Sequence, residues 1–204
     1  GHVIASKKNN NNEIGVPLTL LSANSSAKAI VLEMGMRGVG QIKHLSFYSQ
    51  PDIAVITNIG SAHIGLLGSR RNIAKAKCEI TSSLNPTGLV VIPAGDPLLD
   101  EELAEVWRGR VLRVGLYRYP ISQSTDNPFS SPFSRPDFIG YLDHTNDLMT
   151  VEDKTFNLPL EGSHNALNLL YALAVAKELC VDWGQLTNMH IEVPRGHQGS
   201  LKVG

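Results

Sequence analysis

Residues 29–34 (AIVLEM) and 52–57 (DIAVIT) are short, nearly continuous apolar runs, followed by Gly35 and Asn58, and GLVVI at 88–92 and RVLRVGL at 110–116 repeat the pattern. Runs of this length without polar alternation suit strands buried on both faces of a parallel sheet. Between them, residues 70–84 and 97–108 carry helix-period apolar positions. Strand and helix in alternation imply βαβ units, so the expected fold is α/β, a mostly parallel sheet flanked by helices.

The pattern changes at 118–137, RYPISQSTDNPFSSPFSRPD, where Pro and Ser dominate. This stretch is expected to be a surface loop within the domain. FIGYL, LMTVE and KTFNLPL follow, the first two separated by the turn-forming DHTND, and read as a small antiparallel meander. Ser163 is placed to cap a long amphipathic helix running to about Leu179. Residues 1–195 are read as one domain and 196–204 as a tail or linker. The chain starts with Gly1 rather than Met, so it is expected to be a piece of a longer protein.

A net charge of −1 over 204 residues gives no electrostatic case for nucleic acid or an anionic membrane. No apolar run approaches the roughly 20 residues of a membrane span. Cys78 and Cys180 have no paired spacing, so free thiols and a cytoplasmic location are expected.

In open α/β sheets, ligands lie beyond the carboxyl ends of the strands. Glu33 interrupts the first strand near such an end, followed by the glycine-rich MGMRGVGQ; a carboxylate buried there needs a partner, and two readings are open for it: pairing with a nearby Lys or Arg, or holding a metal ion. The second strand leads to Thr57, Asn58, Gly60 and His63, the last either a hydrogen-bonded loop residue or a ligand. At about 100° per residue, Ile73, Ala76, Ile80 and Leu84 form one stripe that includes Lys77, while Lys75 points away. Lys77 therefore faces inward, either snorkelling along the sheet edge or held at a phosphate or metal site. No G-x-x-x-x-G-K-[ST] phosphate loop occurs in the sequence.

Five segments in order, NNEIGVPLTLL, LEMGMRGVGQI, ITNIGSAHIGLLGS, IAKAKCEI and LEGSHNALNLLYALAVA, resemble the central ATPase domain of the Mur ligases, and among these the branch that adds D-alanyl-D-alanine. The resemblance implies an ATP-dependent amide ligase of peptidoglycan precursor synthesis, acting on UDP-N-acetylmuramoyl-tripeptide and D-alanyl-D-alanine through an acyl phosphate. It implies two Mg2+ ions, with Glu33 at one and His63 and a carbamylated Lys77 at the other. It implies that His164, Asn165 and Asn168 serve the nucleotide, although Asn165 could equally cap its helix. Asn11 and Asn12 match a loop facing the phosphate and acceptor substrate, whereas Asn9 and Asn10 read as solvated loop. The phosphate loop and an amino-terminal substrate domain are expected upstream of Gly1 and a carboxy-terminal domain beyond the tail, so the piece alone is expected to be inactive. IPAGD after the third strand and Gly196-His197 near the tail depart from the family pattern. Two alternatives stay open: a diaminopimelate- or lysine-adding Mur ligase, and a degenerate domain binding a nucleotide sugar or a partner protein.

Overall fold

The computed structural model describes residues 2–7, 9–60, 64–119, 135–143, 145, 147–158, 160 and 162–187. Strands are β1 (His2–Ala5), β2 (Ala27–Val31), β3 (Ile53–Val55), β4 (Leu89–Pro93), β5 (Arg110–Tyr119), β6 (Phe138–Asp143), β7 (Leu148–Val151) and β8 (Lys154–Asn157). Helices are α1 (Gly15–Leu21), α2 (Gln41–Ser49), α3 (Ile64–Leu67), α4 (Arg70–Cys78), α5 (Pro97–Val106) and α6 (Ser163–Glu178). The strands fall into a parallel pair, β1-β2, and a six-stranded sheet in the order β3-β4-β5-β6-β7-β8. From β3 to β6 the pairing is parallel, and β6-β7-β8 is the antiparallel meander. The expected α/β architecture is therefore what the chain adopts.

Two clusters make the core. On one side of the sheet, α2, α4 and α5 pack Leu45, Ile73, Ala76 and Leu99 against Val90 and Ile92 of β4. On the other, α6 packs Leu170, Tyr171 and Leu173 with Val91, Leu142, Met149 and Phe156. Alternate residues of β4 thus serve opposite clusters, as the period of two requires, and this is why its sequence is apolar throughout.

Several local expectations shift. The first expected strand, 29–34, is β2 at Ala27–Val31, and Glu33 lies beyond its end. The helix expected over 70–84 is α4 followed by a 3-10 segment, Glu79–Ser83. Ser69 caps α4 by accepting from the Asn72 amide at 3.1 Å, and Asp96 caps α5, whose first residue is Pro97, by accepting from the Leu99 amide at 3.3 Å. Ser163 is not a cap: Gly162, at φ 98°, holds that position, and Ser163 is the first helical residue with no side-chain cap bond formed. Arg118 and Tyr119, expected in the Pro/Ser-rich loop, extend β5. Residues 120–134 of that loop and 188–204, including the 196–204 tail, lie outside the described residues.

Both cysteines are free, Cys78 buried and Cys180 exposed. Burial pushes the Cys78 thiol up to about 12, so it is inert packing. Among the described residues, no helix is long and apolar enough to cross a membrane.

Candidate functional site

Four of the candidate residues, Asn11, Asn12, Glu33 and Lys77, stand at two places beyond strand ends. The first is built on β2. Its continuation carries Glu33, whose amide donates to Ser6 Oγ at 3.1 Å, and whose carboxylate accepts from Asn11 Nδ2 at 2.7 Å. Asn11 is fixed from both ends, because its own carbonyl accepts from the Gly35 amide at 2.7 Å. Gly35 permits that approach: a Cβ there would lie 2.9 Å from Asn11 Cγ. The expected burial of Glu33 is not found. It is exposed and its partner is a neutral amide, because the strand ends at Val31 and the chain beyond it is open to solvent.

Asn12 turns its side-chain oxygen back to the chain, accepting from the amides of Ile14 at 3.1 Å and Gly15 at 2.9 Å. It thereby satisfies amides at the start of α1 that no helical carbonyl can reach. Beside this loop opens a cleft of about 720 Å3 lined in part by Asn11, Asn12, Gly35, Arg37, Gln41 and His44. Its far wall is the start of α2, which is capped from a distance: Glu79 accepts from the amides of Gly40 at 2.7 Å and Lys43 at 3.2 Å.

The second place lies where the chain leaves β3. Lys77 Nζ donates to the Asn58 carbonyl at 2.6 Å. The side chain is half-buried while Lys75 is exposed, which is the inward placement that the stripe analysis required. Desolvation by burial lowers the Lys77 pKa, since low-dielectric surroundings penalise the ammonium. His63 lies outside the described residues. On α6, His164 and Asn168 are exposed and Asn165 is half-buried in the first turn. Among the described residues no hydrogen bond joins the Glu33–Asn11 pair to the Lys77–Asn58 pair.

Comparison with known proteins decides the family. Residues 1–176 match the Mur ligase middle domain. The chain belongs to the Mur ligase family. It is 38% identical over 205 aligned positions to the UDP-N-acetylmuramoyl-tripeptide--D-alanyl-D-alanine ligase of Synechocystis sp., covering 100% of this chain and 41% of that one. The enzyme of the same name from Bacillus subtilis is 35% identical over 167 positions, 81% of this chain and 33% of the relative. Among solved structures, MurF from Acinetobacter baumannii aligns with a TM-score of 0.75 at 24% identity, over 94% of this chain and 41% of that one. MurF ligase from Thermotoga maritima, solved in complex with ADP, aligns with a TM-score of 0.68 at 26% identity, over 93% and 42%. The chain thus spans well under half the length of these relatives, and this Mur ligase segment corresponds to one part of them.

Three contributors escaped the sequence reading: Ser6, Glu79 and Tyr171. Glu79 and Tyr171 act on backbone groups 36 to 39 and 114 residues away. No local spacing signals such a partner.

Proposed function

We propose that this chain is the nucleotide-binding middle portion, residues 1–195, of an ATP-dependent ligase that joins D-alanyl-D-alanine to UDP-N-acetylmuramoyl-tripeptide in the cytoplasm. The observation that carries the reading is the match along the whole chain to a ligase of that name. In this reaction a carboxylate oxygen of the tripeptide attacks the γ-phosphorus of ATP and ADP departs. The dipeptide amine then attacks the acyl carbon, phosphate leaves and the amine gives up a proton. Positioning and charge neutralisation dominate phosphoryl transfer.

The donor set fits a magnesium nucleotide. Glu33 offers an exposed carboxylate whose partner is an amide rather than a competing cation. Lys77 has an amine whose protonation burial disfavours, and such an amine can add to carbon dioxide and lose a proton to become a carbamate, with anionic oxygens suited to a hard cation. Glu33 would hold one Mg2+, and His63 with carbamylated Lys77 a second. Bound magnesium supplies Lewis-acid neutralisation of phosphoryl charge. Asn11 orients the Glu33 carboxylate, and its loop, with Asn12, borders the cleft suited to the acceptor. His164, Asn165 and Asn168 bind the nucleotide from α6.

The test is phosphate release by the complete gene product with ATP, Mg2+ and UDP-N-acetylmuramoyl-tripeptide, comparing D-alanyl-D-alanine, diaminopimelate and lysine as amines. Release with the dipeptide alone is expected. Release with another amine, or with none from folded protein, contradicts the proposal.

A further inference from the structure

The segment after β3 is held mostly by side chains rather than by a strand ladder. The Ile56 amide makes the last ladder bond, donating to the Val91 carbonyl at 2.9 Å. After it, three successive carbonyls each receive a side chain. Thr57 accepts from Tyr171 Oη at 2.9 Å, Asn58 from Lys77 Nζ at 2.6 Å, and Ile59 from Arg70 Nε at 3.3 Å. Lys77 and Arg70 reach it from α4, and Tyr171 from α6. Tyr171 thus ties α6 to this segment through its side chain.

The face of α6 on which Tyr171 stands is informative. His164, Asn168 and Tyr171 are spaced i, i+4 and i+7, so at 100° per residue they share one edge of the helix. The first two are exposed, and Tyr171 is 4% exposed in the second core cluster. Burial raises the Tyr171 pKa, so its hydroxyl remains a donor across the working pH range. A buried ring fixes the hydroxyl in space, and the hydroxyl fixes the carbonyl next to the one that takes Lys77.

We propose that Tyr171 is a positioning residue: its hydrogen bond to Thr57 holds the chain leaving β3 so that the Asn58 carbonyl orients Lys77, tying that lysine to the helix edge that carries His164 and Asn168. The inference deepens the ligase reading and rests on it for its kinetic consequence. The geometric part stands independently.

Tyr171→Phe in the complete gene product tests it, because phenylalanine keeps the ring in the core and removes only the donor. Amide exchange at residues 58–60 is expected to accelerate about tenfold, the scale of one net hydrogen bond, with protection elsewhere in β4 and α6 retained. In the phosphate-release assay kcat is expected to fall about tenfold while KM for ATP stays within about twofold, since binding persists and only alignment is lost. Unchanged exchange at 58–60 overturns the tether. A general loss of protection, or a rise in KM for ATP with kcat unchanged, overturns the positioning role. If wild-type protein releases no phosphate with any amine, the ligase reading fails while the exchange result still decides the tether.

Discussion

The two halves of the candidate site are built in opposite ways. On the β1-β2 side, Val3 and Val31 are 54% and 57% exposed, and order comes from polar contacts: Asn11 to Glu33, Ser6 to Glu33, Asn12 to the start of α1. On the β3-β6 side, Ile73, Ala76, Val90 and Leu99 are fully buried, and Lys77 is carried by α4, the helix that packs into this core. Burial disfavours charge on Lys77, whereas Glu33 keeps its carboxylate in contact with solvent. One fold thus provides an exposed carboxyl group beyond one strand end and a partly desolvated amine beyond another, a division of electrostatic roles that a phosphoryl-transfer site can use.

This contrast can be broken by substitution. The largest stability effect is expected from Phe156→Ala, which empties a fully buried site and costs about 3–5 kcal/mol in urea unfolding. Val31→Ala on the open pair costs less than about 1 kcal/mol in the same experiment, and comparable losses would abolish the distinction. In the complete gene product, Lys77→Ala is expected to lower kcat about 10²–10³-fold. Lys77→Arg does not rescue it, because a guanidinium stays protonated, and rescue by arginine would exclude the carbamate. Asn12→Ala removes a helix-start acceptor and costs about 1 kcal/mol. Asn11→Ala leaves stability within about 0.5 kcal/mol and shows its effect in the ATP-dependent rate.

The smallest effect is in pH dependence. A lysine with a lowered folded-state pKa binds fewer protons folded than unfolded, so wild-type stability rises relative to Lys77→Met as pH climbs from the folded pKa to the ordinary lysine range. Below that window the difference is constant. Chemical denaturation at stepped pH reads it, and the opposite slope would mean that Lys77 is stabilised as an ammonium.

The strands that bury both faces were legible because nothing polar interrupts them: β4 carries Leu89 to Ile92, all at 3% exposure or less. Lys77 was legible because two steps of about 100° put it on the face opposite Lys75 and group it with Ile73 and Ala76. Three elements around the cleft, β1, α1 and α2, were not read from the sequence. β1 has 4 residues, α1 has 7 and begins at Gly15, and α2 begins after Gly40 at φ 86° with its cap supplied by Glu79. β1 depends on its pairing with β2, and the start of α2 on Glu79, both distant in sequence, so no short window along the chain contains them. The expectation of a buried Glu33 failed for the same reason: its surroundings depend on where β2 ends and what stands over it, not on its neighbours in sequence. Of the four consecutive asparagines the fold gives two distinct tasks, Asn11 facing Glu33 and Asn12 facing the helix start.

The measurement that bears most directly on the central claim follows oxygen. Tripeptide substrate labelled with heavy oxygen in its terminal carboxylate is incubated with the complete gene product, ATP, Mg2+ and D-alanyl-D-alanine, and the released phosphate is analysed by mass spectrometry. Transfer of one carboxylate oxygen to each phosphate, together with the dipeptide-extended product, is the predicted result, because the acyl phosphate keeps that oxygen when the acyl carbon–oxygen bond breaks. Unlabelled phosphate would contradict the account.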